Sequence, residues 1–233
     1  MKQIDFSRFE DSIGVSFSDK ALLKQAFTHR SYLNENPRER LSHNERLEFL
    51  GDAVLELIAT EYLFKKYPDK NEGELTAYRA ALVNTITLSE TAQSMNINEF
   101  LLLSRGEQRD TGKARQYILA NTFEAFVGAL YLDKGYAVVE KILYKILFPR
   151  LEKILSERSW QDAKSRFQEK AQEVLSITPA YKVLKEMGPD HDKTFVVGVF
   201  LGDTKIAEGS GRSKQDAEQD AARAGLSLKD WEK

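Results

Sequence analysis

The chain has 233 residues, 42% hydrophobic and 30% charged, with 34 basic against 36 acidic side chains and a net charge of −2. That composition fits one or two globular domains with a sizeable core, and it excludes collagen-like and low-complexity chains. Cysteine is absent, which excludes disulfides and thiolate metal sites and fits a reducing compartment.

The N-terminal Met1-Lys2-Gln3-Ile4-Asp5 has no apolar core of a signal peptide. The longest apolar runs, such as residues 125–132, fall short of the roughly 18 needed to span a membrane. The expected location is the cytoplasm, with no membrane contact. Near-neutral charge argues only weakly against a nucleic-acid partner, because local patches decide binding and an acidic metal site lowers the sum.

Apolar residues recur at helical spacing in residues 20–27, 47–64, 80–95, 118–132 and 138–155. Pro68, with Asp69 and Asn71 nearby, predicts a loop, as does Arg105-Gly106-Glu107-Gln108-Arg109-Asp110-Thr111-Gly112. The pattern changes near residues 156–162. Asp162 is a predicted N-cap for a helix to about Ser176. Three strands follow at 181–186, 194–201 and 204–208, separated by Gly188-Pro189-Asp190 and Gly202-Asp203. A last helix, capped by Ser213, covers 214–226. The expected fold is an all-α N-terminal domain over residues 1–157, a linker at 158–161, and an α+β domain of order α-β-β-β-α over 162–233.

The stretch Asn44-Glu45-Arg46-Leu47-Glu48-Phe49-Leu50-Gly51-Asp52-Ala53 carries the most information. At about 100° per residue, Leu47, Leu50, Val54, Leu57 and Ile58 share one face, and Glu45, Glu48, Asp52 and Glu56 the other. An acidic stripe is most often a solvated face. Phe49 falls among the acids, where a core aromatic does not belong, so a metal site and a partner surface are the alternatives. In residues 118–132 Glu124 is the only carboxylate, with no basic residue in the run. Leu119, Phe123, Phe126 and Leu130 lie on one side of this helix, and Asn121, Glu124 and Gly128 on the other. A lone buried charge is costly unless paired or metal-bound; a distant Arg or solvent is the plainer explanation. Ala125 and Gly128 leave that side thin enough for another helix to approach. Glu48 and Asp52 at i, i+4, with Asn121 and Glu124 at i, i+3, offer four oxygen-bearing side chains suited to a hard divalent cation.

These motifs resemble bacterial ribonuclease III. Residues 44–53 match the family's hallmark block. Thr28-His29-Arg30-Ser31-Tyr32, Asn71-Glu72-Gly73 with Leu82-Val83, and Ile118-Leu119-Ala120 leading into Phe123-Glu124-Ala125 follow in the family's order over almost the whole chain. The resemblance implies a homodimeric endoribonuclease that cuts double-stranded RNA with Mg²⁺ (Mn²⁺ as a substitute). It implies processing of rRNA and mRNA precursors, with products carrying 5′-phosphates and 3′-hydroxyls. By position it implies a metal site of Glu48, Asp52, Asn121 and Glu124, catalytic roles for Asp52 and Glu124, and a dimer contact at Phe49. Glu45 and Glu72 lie in family motifs without an assigned metal contact. The family most often has Asp where this chain has Asn121. An amide brings no charge, so weaker metal affinity is expected, and the alternative is a protein that binds duplex RNA but scarcely cuts it.

The C-terminal order resembles a double-stranded-RNA-binding domain, closing on Gly209-Ser210-Gly211-Arg212-Ser213-Lys214-Gln215-Asp216-Ala217-Glu218-Gln219-Asp220-Ala221-Ala222. Lys214 in a first helical turn opposes the macrodipole, which suits a phosphate site. No third glycine or parallel βαβ setting makes this a dinucleotide fingerprint. The resemblance implies RNA contacts from Gln168 and His191 in minor grooves and from Lys214 on phosphates. Exposed helix and loop positions are the plainer reading of Gln168 and His191. Residues 160–233 hold 12 Lys/Arg against 13 Asp/Glu, a net charge of −1. The family often has a further basic residue where Gln215 stands. Both features predict few phosphate contacts and a shallow salt dependence.

Overall fold

In a computed structural model, residues 4–39, 41–109, 111–156, 163–189 and 193–231 are described. The chain divides into two units, Met1–Trp160 and Gln161–Lys233. The first is helical and the second carries one antiparallel sheet with a helix on either side of it in sequence.

In the first unit, capping side chains set four of the helix starts. Helices α1 (Ser7–Ile13), α2 (Lys20–Ala26) and α3 (Arg30–Glu35) precede the long α4 (Glu45–Lys66). Asp19 caps α2 by accepting from the amide of Ala21 at 2.8 Å. After the loop at Pro68, α5 (Glu72–Leu82) starts on a capping box between Asn71 and Glu74. The helix expected over 80–95 is broken: α5 ends, and Asn84 caps a new helix, α6 (Thr85–Ser94), accepting from Thr87 N at 2.9 Å. A 3-10 turn, Glu107–Arg109, interrupts the predicted loop before α7 (Lys113–Lys134). The expected helix over 138–155 is also two, α8 (Tyr136–Ile146) and α9 (Arg150–Ser156), because Pro149 disfavours helical backbone just before itself.

Helix α7 is buried from Ile118 to Leu130 except at Asn121 and Glu124, as its largely apolar middle requires. It packs on α4, α6 and α2. Phe9, Phe27, Phe123 and Phe126 are fully buried in this core, with Phe9 edge-on to Phe126 at 5.2 Å.

In the second unit α10 (Ala163–Leu175) is followed by β1 (Ala180–Met187), β2 (Thr194–Leu201), β3 (Thr204–Gly211) and α11 (Lys214–Leu228). The sheet order is β1-β2-β3, antiparallel throughout. Phe167, Val199, Leu201, Ala221 and Leu226 form its core. Strand β3 runs beyond the expected end at 208. Gly209 and Gly211 let α11 lie directly on it: a Cβ at Gly209 would meet Ala221 N at 2.0 Å, and one at Gly211 would meet Ala217 N at 2.6 Å. The predicted N-cap Asp162 and the linker 158–161 lie outside the described residues.

Candidate functional site

The site is built where α4 crosses α7. Two glycines set the approach. A Cβ on Gly51 would sit 1.7 Å from the carbonyl oxygen of Glu124, and one on Gly128 would sit 2.2 Å from that of Leu47. The backbones therefore touch, and side chains flanking the contact are brought together. Glu48 lies one helical turn before Asp52 and next to Leu47, and the backbone of Glu124 is itself part of the contact.

The start of α4 is pinned by the Thr28-His29-Arg30-Ser31-Tyr32 motif. Asn44, buried at the helix start, donates its backbone N–H to the carbonyl of Thr28 at 2.9 Å. Its side chain is spent on the carbonyl of Ala26 at 3.2 Å rather than on capping. The same strand-like segment pairs with residues around Leu102, with Leu102 N donating to Phe27 O and His29 N to Leu102 O. Ser31 Oγ accepts from Ser104 N at 3.1 Å and contacts His29 Nδ1 at 2.8 Å. Burial is the main cause that pushes the His29 imidazole below its ordinary value. The motif is thus a staple that fixes the start of α4 to the loop leading into α7.

Burial raises the Glu124 carboxyl to a pKa of about 8, and the charges of Asp52 and Glu48 add to it. Burial also raises Glu48, with Glu45 and Asp52 adding to the rise, while a hydrogen bond from the Asn121 side chain opposes it. The Asn121 amide is therefore the donor and the Glu48 carboxylate the acceptor. No basic side chain is among the causes acting on Glu124. Half-buried negative charge without a counter-ion, in a set of oxygen ligands only, fits a hard divalent cation. Among the described residues no group of three His, Cys, Asp or Glu side chains is already gathered as a cation cage. The carboxylates are near enough to raise one another's proton affinity, and mutual repulsion opposes closer approach.

The remaining sequence-predicted residues are placed as follows. Asp52 is exposed beside the crossing. Glu45 reaches outward to Arg30 Nη1 at 3.5 Å and His43 Nδ1 at 3.8 Å. Glu72 is exposed in the first turn of α5, away from the capping box made by Glu74. Phe49 is 82% exposed. Leu57, expected on the core face, is instead 58% exposed, and Phe64 is 72% exposed. At 100° per residue these two continue the Phe49 side of α4, so the apolar stripe toward solvent is longer than Phe49 alone. Gln168 is exposed on α10. Lys214 stands at the first turn of α11, 3.5 Å from Glu186 Oε1 and 5.6 Å from the centre of the Phe195 ring. His191 lies outside the described residues. The sequence reading missed Gly51. Its spacing from Glu48 and Asp52 was visible, but the backbone it meets lies some seventy residues later.

Residues 19–151 match the ribonuclease-III-like family and residues 163–228 the double-stranded RNA binding motif. The chain is 44% identical over 228 residues to Ribonuclease 3 of Nitratiruptor sp., covering 98% of this chain and 97% of that protein. It is 45% identical over 223 residues to Ribonuclease 3 of Oceanobacillus iheyensis, covering 96% and 97%. Among solved structures, the nuclease domain of ribonuclease III from Campylobacter jejuni matches with 39% identity and a TM-score of 0.57, covering 62% of this chain and 97% of that one.

Proposed function

The chain belongs to the ribonuclease III family and is a double-stranded-RNA endoribonuclease, and from that premise we propose that it cuts at the α4–α7 crossing with Mg²⁺. The observation that carries this reading is the close crossing at Gly51 and Gly128, which brings Glu48, Asp52, Asn121 and Glu124 to one place; burial and the neighbouring Asp52 and Glu48 raise the Glu124 carboxyl there. Glu48, Asp52, Asn121 and Glu124 would hold the metal and its waters, and Mn²⁺ offers the same hard-oxygen chemistry. When bound, the cation lowers the pKa of a coordinated water and offsets charge on the phosphodiester.

The chain's own residues have separate tasks. Asp52 and Glu124 orient water and accept its proton. Glu48 accepts from the Asn121 amide N–H₂, and the amide oxygen is the group Asn121 can offer a cation. Attack in line on phosphorus leaves a 5′-phosphate and a 3′-hydroxyl. We assign residues 1–157 to the nuclease, 162–233 to the duplex-RNA module and 158–161 to the linker. Gln168, His191 and Lys214 are the proposed RNA contacts of the module. Lys214 supports its part through its exposed position at a helix start. The Phe49 stripe supports a homodimer, which sets two reaction centres on one duplex. Structured rRNA and mRNA precursors in the cytoplasm are the proposed substrates.

The test is cleavage of duplex and single-stranded RNA with and without Mg²⁺, using Glu124→Gln as control. Duplex-specific, Mg²⁺-dependent cutting that Glu124→Gln abolishes is the expected result. Equal cutting by Glu124→Gln removes the assignment. Asn121 favours a second reading, duplex binding with little cutting, and binding without products at any Mg²⁺ concentration supports it.

A further inference from the structure

One side of α7 presents more than Asn121 and Glu124. At 100° per residue, Lys113, Tyr117, Asn121 and Glu124 fall within about a quarter of the helix circumference. The inner two are half-buried toward α4, whereas Lys113 is exposed and Tyr117 is 58% exposed. The active side of the helix therefore continues out of the core toward its N-terminal end. The fold uses neither outer side chain: among the described residues Tyr117 makes no hydrogen bond or ring contact, and Lys113 makes no ion pair. Arg115, between them, is committed instead. Its Nη2 donates to the carbonyl of Glu107 at 2.6 Å, which anchors the first turns of α7 to the preceding loop.

An exposed tyrosine is ordinary on its own; its alignment with the carboxylates is what gives it meaning. A duplex laid across those carboxylates brings the neighbouring phosphates and riboses of the same strand with it. At 1.5 Å per residue, Tyr117 lies about 10 Å and Lys113 about 16 Å along the axis from Glu124. Helical side chains lean toward the N-terminus. Both therefore reach past the scissile phosphate to the strand beside it.

We propose that Tyr117, backed by Lys113, is a positioning residue that holds the sugar-phosphate backbone flanking the scissile bond. The Tyr117 hydroxyl donates to a phosphate oxygen and the Lys113 ammonium pairs with a phosphate further along. Contacts of this kind fix register without reading sequence, which suits a duplex recognised by shape. Both presuppose the α4–α7 crossing as the reaction centre.

The experiment is steady-state cleavage of a short duplex with a single cut site at saturating Mg²⁺, comparing the unsubstituted chain with Tyr117→Phe, Lys113→Gln and Glu124→Gln. Tyr117→Phe is expected to raise KM about three- to tenfold, or ~0.7–1.4 kcal/mol, with kcat within about twofold of the parent. Lys113→Gln is expected to flatten the dependence of log kcat/KM on log salt by about one. Unchanged KM and salt slope, or a fall in kcat at constant KM, overturn the positioning role while an inactive Glu124→Gln keeps the reaction centre in place. Normal cutting by Glu124→Gln removes the centre itself, and the flanking contacts with it.

Discussion

At the scale of single residues, the site is governed by charge without a counter-charge. Glu124 has an ordinary carboxyl value of 4.5 and is raised to about 8 in the fold. The folded chain therefore keeps a proton that the unfolded chain releases. The stability cost of ionising Glu124 is absent below about pH 4.5, grows between pH 4.5 and 8, and is complete above that. With metal removed by chelation, Glu124→Gln should raise Tm at pH 8.5, and the advantage should vanish near pH 4.5. The gain is about 1–3 kcal/mol after solvent screening is discounted. A gap that stays constant with pH, or widens on acidification, contradicts it. Asn121 works in the same field. Its amide donates to Glu48 and opposes the rise in that carboxyl, so it steadies the metal-free site at the expense of a fourth negative charge. Asn121→Asp should tighten Mg²⁺ binding about tenfold, ~1.4 kcal/mol, in a calorimetric titration, and should lower Tm in chelator at pH 8. Equal Mg²⁺ affinity in the two proteins would refute this account of position 121.

At the scale of elements, the pairing of acids is legible in the sequence, and the contact that unites them is not. Glu48 with Asp52, and Asn121 with Glu124, are given by helical spacing alone. So is the central place of α7, whose residues 118–132 are apolar apart from Asn121, Thr122 and Glu124. The close approach is invisible because it depends on two backbones meeting: Gly51 and Gly128 are single residues in separate helices, and each needs the other to have meaning. The breaks at Asn84 and Pro149 are different, since a capping residue and a proline announce them locally and the apolar period ran across both. Strand β3 illustrates the reverse error. The expected strand stops at 208, before Gly209 and Gly211, yet it continues through both, and α11 occupies the space their side chains would need. The crossing itself makes a sharp prediction. The atom 1.7 Å from a Cβ at Gly51 is a backbone oxygen, so no rotamer change relieves it, and Gly51→Ala should cost at or above the usual ~1–3 kcal/mol of overpacking. Thermal unfolding should show a Tm lower by roughly 6–12 °C, with cleavage lost through displacement of Glu124. Gly106→Ala, whose Cβ would meet only Ser104 Oγ at 3.8 Å, should leave Tm nearly unchanged. If the two alanine variants melt alike, the glycine contact is not what fixes the helices.

At the scale of the whole molecule, the proposed homodimer rests on the exposed side of α4. Phe49, Leu57 and Phe64 are 82%, 58% and 72% exposed, and their spacing sets them along one stripe of a 22-residue helix. Three large apolar side chains in line are the proposed dimer contact, since scattered surface hydrophobes do not align in this way. The same helix carries Glu48 and Asp52, so a partner seated on the stripe would brace the segment that holds half of the proposed metal ligands. Association and catalysis should then be coupled. Leu57→Glu combined with Phe64→Glu should shift the protein from dimer to monomer in sedimentation equilibrium, because charges on facing copies would be buried unpaired. It should also remove the rise of Tm with protein concentration that a folded dimer shows. The substituted side chains point to solvent in the single chain, so the helical far-UV signal should persist and separate loss of assembly from loss of folding. Cleavage per site should fall in step with dissociation and recover, for milder variants such as Leu57→Ala, as protein concentration is raised. A Leu57→Glu, Phe64→Glu protein that remains dimeric would place the interface elsewhere on the molecule. One that is monomeric yet fully active would show that α4 keeps its ligands in position without a partner.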